Sequence, residues 1–531
     1  MATEAVYTVN QDPNLVDAHY TAMGVHPEYL QHYKRWAFLR RSFAGGYEWR
    51  LGQYLTKYIY ESDADYLRRI STTPYDNHVK SIIEVYNSFL YRQPIKRDFG
   101  NLSNMPELQN LIKDADLEGR NFDSFMRDVN AMSSLYGSVC VLIDKPVSNA
   151  RTRAEELGQG IRPYLNLFTP ENILDWEYTR QESGIYELTY LKLLEIEQKA
   201  YGVPTRYYIR EFTPDMISVT EYKPEKPNAR FPVSETANTL GKIPAVVVYA
   251  NRSPVRLIGV SDVGDIADHS NAIYNELSEL EQLIRLSNHP SLVATPEVDA
   301  SAGAGAIIRI PNETDAGLRP YLLQPSGQSI ESIINSIEHK ITAIDRMAHM
   351  SGIRTVQTRQ QSGISMITEY AQLDAKLSEK SQNLELAEEQ IFDLFAMWMG
   401  TNFQGEIQYP RAFHIRDRNM DMDILEKASR TVRDSLNADP SIKALINQKV
   451  TETLIKDPFE LQQYQIKVKP SGPNDQMTLP NQMQHPAVTS TQDLVSHMRE
   501  MIEQGYTNQQ IIDLHPELAG LFGNSDAGQE G

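Results

Sequence analysis

Three aspartates in the run Asp417-Arg418-Asn419-Met420-Asp421-Met422-Asp423 come nearest to a divalent-ion site in this sequence. A calcium loop needs a glycine at its sharp turn and a closing glutamate, and this run has neither. Asp423 stands where a helix begins, so its carboxylate reads first as a cap on free backbone amides, with metal binding the lesser alternative. Gly303-Ala304-Gly305-Ala306 lacks the Gly-Lys-Ser/Thr ending of a phosphate loop. The strand-like Ile307-Ile308-Arg309-Ile310-Pro311 after it offers no helix N-terminus, which leaves a turn. Gln361-Ser362-Gly363-Ile364-Ser365 resembles a nucleophile elbow without its first glycine. The 12 histidines form no His-Glu-x-x-His pair. Cys140, the only cysteine, lies in Val139-Cys140-Val141-Leu142-Ile143 and reads as a buried small hydrophobe. No catalytic constellation emerges, so neither enzyme activity nor a cofactor or metal is expected.

Two polar features remain. Asp262, Asp265, Asp268, Glu276, Glu279 and Glu281 line one stretch against Arg285 alone. They form either an ordinary solvated helix face or a surface that repels phosphates. The segment 351–363 is long, polar and basic, bracketed by Gly352 and Gly363 and carrying Arg354 and Arg359. It is either a plain connector between helices or a functional loop.

These features are held by three long helical patterns. The first, Val260 to Ser287, spaces Val263, Ile266, Ala267, Ile273, Tyr274, Leu277, Leu280 and Ile284 at helical steps. The second, Ile330 to Met350, carries the narrow stripe Ile330, Ile333, Ile334, Ile337, Ile341, Ile344 and Met347. The third, Met366 to Met399, repeats apolar residues at near-heptad spacing from Tyr370 to Trp398. Acids and amides interrupt all three, so none reads as a membrane span. Upstream, 76–91 and 121–136 read as amphipathic helices. The segments 138–144, 164–168, 185–197, 206–212, 216–222 and 245–249 read as strands of one antiparallel sheet. Residues 407–415 read as a further strand returning to it, followed by helices from 423 and a Pro/Ser/Asn/Gln-rich linker at 469–489. The fold class is α+β, mainly helical.

The bulk numbers bound the partners. A chain of 531 residues has room for two to four domains. A net charge of −19 argues against a surface that grips nucleic acid, though not against one that lets it slide past. A single cysteine excludes a disulfide within one chain and fits a reducing compartment, and the N-terminus shows no secretory signal.

Taken in order, residues 259–400 resemble the core of the portal proteins of tailed double-stranded DNA bacteriophages. Lys242-Ile243-Pro244, Leu135-Tyr136-Gly137 leading into Val139–Asp144, and Thr169-Pro170-Glu171-Asn172-Ile173-Leu174-Asp175-Trp176 carry the likeness further, over about residues 70–420. The resemblance implies a wing at 1–258, a first stem helix at 259–287, a strand-containing clip at 288–327 and a second stem helix at 328–350. A tunnel loop at 351–365, wing again at 366–422 and a helical crown at 423–531 complete it. It further implies a ring, typically a dodecamer, at one capsid vertex of the virion, assembled in the host cytoplasm. Partners would be double-stranded DNA passing through the channel, the terminase large subunit, a head–tail connector, and the major capsid and scaffolding proteins, with no membrane. Arg354, Thr358, Arg359 and Gln360 would face DNA from the loop. Asp262, Asp265, Glu276 and Glu279 would line the channel, and Ile333, Ile337 and Ile341 would meet a neighbouring subunit. A shorter head–tail adaptor, or a metal-dependent nuclease, are the alternatives.

Overall fold

The computed structural model describes residues 20–413 apart from 147–149, 151, 198–204, 228, 289–290, 294–320, 324–326, 351–362 and 412. Arg354, Thr358, Arg359 and Gln360 of the expected tunnel loop, the aspartates 417, 421 and 423, most of the expected clip, and the expected crown with its linker lie outside the described residues.

Helix boundaries follow local chemistry. Helix α1 (Pro27–Ala44) begins with proline behind a His26 cap and stops at Gly45, whose φ is 64°. A short α2 (Gly46–Leu51) follows. Helix α3 (Asp63–Thr72) is capped by Ser62, whose Oγ accepts from the Asp65 amide at 3.1 Å. Helix α4 (His78–Leu90) is capped by Asn77. After strand β1 (Lys96–Asp98) come α5 (Pro106–Lys113) and α6 (Phe122–Tyr136), which ends at Gly137.

The strands form two main sheets rather than the one expected. Strand β2 (Ser138–Asp144) is buried along its whole length and sits between β3 (Tyr164–Phe168), reached through helix α7 (Arg153–Gly158), and β9 (Ala245–Tyr249). Its registers pair Cys140 with Phe168 on one side and Val247 on the other. Strands β4 (Ile173–Arg180), β5 (Tyr186–Glu197), β6 (Arg206–Phe212), β7 (Met216–Tyr222) and β8 (Phe231–Ala237) make a separate five-stranded antiparallel meander. Strand-like residues identify a strand but not its partners: β2 reads as a continuous apolar run because both its faces are buried, yet nothing in that run says which strands flank it. Arg210 joins the sheets, donating to Asp144 of β2 and Glu195 of β5 at 2.8 Å each.

A small pair, β10 (Asn251–Arg252) with β11 (Gly259–Val260), leads into α8 (Gly264–Asn288). Strands β12 (Ser291–Val293) and β13 (Tyr321–Leu323) pair antiparallel before α9 (Gly327–Met347). Helix α10 (Gly363–Trp398) then runs along the body. It buries Leu377, Ile391, Phe392 and Phe395, and its Trp398 Nε1 donates to the Ile143 carbonyl at 2.9 Å. The last described strand, β14 (Glu406–Gln408), does not return to the large sheet as expected. It pairs with β1, setting Arg97 opposite Ile407. Arg97 explains this: its guanidinium grips Glu388 of α10 through two 2.8 Å bonds, and Tyr409 donates to the same buried carboxylate.

Candidate functional site

The hairpin of α8 and α9 carries the polar features singled out in the sequence, and it is rooted in the body at both ends. At the outgoing end two glycines cross. Gly137 has φ 93°, and a Cβ built on Gly259 would stand 2.0 Å from the Gly137 carbonyl oxygen. Only residues without side chains allow this approach. Ser138 Oγ ties the crossing together, accepting from the Gly259 amide at 3.0 Å and donating to the Leu257 carbonyl at 2.6 Å.

Just beyond lies the most heavily charged buried cluster of the hairpin root. The Asp262 side chain is 1% exposed, with Lys380 of α10 at 2.5 Å and Lys376 at 2.9 Å. Asn251 donates to the same carboxylate at 2.8 Å, while Lys380 also donates to Ser134 Oγ at 2.7 Å. Burial alone would raise the Asp262 pKa, but the two ammonium groups outweigh it and bring it down to about 2. Asp262 is therefore not an exposed channel acid. It precedes the helix and locks its start to α10. The sequence pattern placed it on the solvent side because the lysines that bury it lie more than a hundred positions away.

The other acids divide. Asp268 is gripped by Arg35 of α1 at 2.6 and 2.8 Å, and Arg35 also donates to the Gly264 carbonyl at 2.9 Å. Glu276, expected in the channel lining, turns to α9, where it accepts from Lys340 at 2.5 Å and Ser336 at 2.8 Å. Asp265 and Glu279 are exposed. Fourteen positions apart, they fall within about 40° of each other on an α-helix, so they share a face.

Helix α9 lays its apolar stripe on its own chain. Ile344 is fully buried and Ile337 is 9% exposed, with Ile333 and Ile341 half-buried against the same core. Of the three residues expected at a subunit contact, Ile337 is covered within its own chain, where α9 packs against α8, while Ile333 and Ile341 are only partly covered. The helix ends beside α4, where Tyr86 donates to the Ala348 carbonyl at 3.0 Å and Met350 is buried.

Sequence reasoning also missed the braces on α8. Trp49 stacks on Tyr75 at 4.1 Å and meets Tyr274 edge-on at 5.5 Å. Asn275 accepts from the Thr56 amide at 2.8 Å. Arg69, 4% exposed, donates to Ser278 at 2.9 Å while gripping Glu61 at 2.5 and 2.7 Å. The contacts that reach α8 itself, from Trp49, Thr56 and Arg69, span more than 200 positions, and no local pattern signals them. Among the described residues no cluster of side chains suits a metal ion, and no helix is long and apolar enough to cross a membrane.

No family model matches this chain, and no curated protein does either. Among solved structures it is similar to a chain in the neck of an empty gene transfer agent particle, with TM-score 0.39 and 10% identity over 70% of this chain and 90% of that one. It is similar also to a chain of the native gene transfer agent virion, with TM-score 0.40 and 12% identity over 77% and 92%. A third is a chain in the neck of the native particle computed with C12 symmetry, with TM-score 0.38 and 10% identity over 69% and 89%. Likenesses of this size establish neither a fold nor a function for this chain.

Proposed function

We propose that this chain is a portal-type subunit, one member of a closed ring at a single vertex of a phage-like particle, with double-stranded DNA passing through the ring. The observation that carries the reading is the hairpin rooted at both ends. Helix α8 leaves the body through the buried Asp262–Lys380 joint, α9 re-enters at Ala348, and α10 continues along the body. That order of stem, clip, stem and long helix is the one the sequence resemblance implies. Asp265 and Glu279 supply exposed negative charge on one face of α8, which repels phosphates and favours sliding over binding. Arg354 and Arg359 would make transient phosphate contacts that read no bases. The ring would in turn be the docking platform for terminase and for a head–tail connector. The test is imaging of the purified full chain by negative stain, with sedimentation alongside. Rings with a central channel are expected. A monomer that persists at high protein concentration and in varied salt overturns the reading.

A further inference from the structure

Tyr58, Ile59 and Tyr60 form an apolar tip on the loop before α3. Ile59 is 93% exposed and Tyr60 99%, with Leu67 of α3 at 55%. The loop is braced. The Arg69 guanidinium lies 4.0 Å from the Tyr58 ring centre, and the Tyr58 amide donates to Glu61 at 3.2 Å. Arg69 and Glu61 hold each other in a nearly buried two-bond pair, and Arg69 ties both to Ser278 of α8. Large apolar side chains held out in water on a braced loop mark a contact surface. The Tyr60 ring alone offers area on the order of 150–250 Å², and with Ile59 beside it the tip can form the centre of an interface of about 800 Å² per partner.

The position of the tip says what covers it. It stands at Ser278, whereas α9 packs at Glu276, and these positions point about 200° apart around α8. The tip therefore lies on the side of α8 away from α9. On α9, Ser336 faces Glu276 of α8, so Ile334, two positions before it and about 200° round the helix, points away from α8; it is 41% exposed, with half-buried Ile330 one turn before it. An apolar projection and an apolar flank on opposite sides of one hairpin are the two halves of a head-to-tail contact, the kind that closes into a ring. We propose that Ile59 and Tyr60 seat against the α9 flank around Ile334 on the next copy of this chain. This rests on the ring reading above and adds which surfaces meet.

Cys140 is buried, so introduced thiols can be read against a silent background. The full chain is made with Tyr60→Cys, with Ile334→Cys, and with both, then treated with a short bis-maleimide. Sedimentation is run in parallel. The double variant is expected to give a ladder of covalent multimers, the mixed single variants to stop at dimers, and each single variant alone to stay unlinked. In a separate chain, Ile59→Ser with Tyr60→Ser is expected to weaken assembly at least tenfold with unchanged far-UV circular dichroism. Assembly without the Tyr60–Ile334 link overturns the contact and leaves the ring, with the tip then serving another partner. Linking by Tyr60→Cys alone overturns it as well, because the contact would be two-fold. A monomer at every concentration removes the ring and the contact together.

Discussion

Replacing Asp262 by asparagine tests whether the root of the hairpin is an ion-paired joint. The change keeps the shape and the bond from Asn251 but leaves Lys380, 2% exposed, without its counter-charge. Breaking one side of a buried pair costs about 3–5 kcal/mol. The pKa gives an independent figure. Asp262 is lowered from 3.8 to about 2, which at about 1.4 kcal/mol per pH unit makes its charged form worth roughly 2.5 kcal/mol of stability. Because the folded value is the lower one, that contribution is whole above about pH 4 and is lost as the pH falls through about 2. The asparagine variant lacks this acid-sensitive part. Thermal unfolding followed by tryptophan fluorescence at pH 3 and pH 7 reads both effects. Adding Lys380→Met should recover much of the loss, since an apolar side chain needs no partner. If Asp262→Asn unfolds within about 0.5 kcal/mol of the parent at pH 7, the joint does not hold the hairpin and the reasoning is wrong.

Gly259→Ala should lower the unfolding midpoint by an amount corresponding to about 1–3 kcal/mol, because its methyl meets the Gly137 carbonyl; a neutral result in a melting scan would mean the crossing can open. Arg69→Lys should cost nearly as much as Arg69→Ala, since a point charge cannot keep two bonds to Glu61 and one to Ser278 at once; hydrogen exchange at 57–72 should rise in both. Asp265→Lys with Glu279→Lys should leave assembly intact and produce salt-sensitive DNA retention, and packaging indifferent to the pair would remove the electrostatic argument. Arg354→Ala with Arg359→Ala should spare the ring and impair packaging or retention, read by comparing filled and empty particles.

Local patterns in the sequence reached the elements well and the partnerships poorly. Helices at 78–90, 122–136, 264–288, 327–347 and 363–398 stood out because their apolar spacing and their stops at residues such as Gly137 are local signals. The division into two sheets did not stand out, because strand-forming residues do not say which strands they pair with, and pairings such as β2 with β9 span about a hundred positions. Asp262 shows the same gap in electrostatics. Its acidic companions suggested an exposed row, while its burial depends on Lys376 and Lys380 across a distant stretch of chain. The isoleucine stripe of α9 marks a surface that some partner must cover. Period alone cannot say whether that partner lies on another molecule or on α8 of the same one. Ile59 and Tyr60 were invisible as a feature, because exposure is a property of the surrounding fold.

The joint at Asp262 also bears on how freely the chain can change in length. Asp262 and Lys380 close a span of 118 residues, and within it the hairpin is an excursion from a body that is already complete on either side. The entropy of closing a long loop grows only with the logarithm of its length, so even doubling such a span costs about 0.6 kcal/mol. Insertions or deletions between the β12 and β13 strands would therefore cost the body little, provided that pair still forms. The stretch of chain between those two strands can thus change in length while the body that holds the hairpin stays the same.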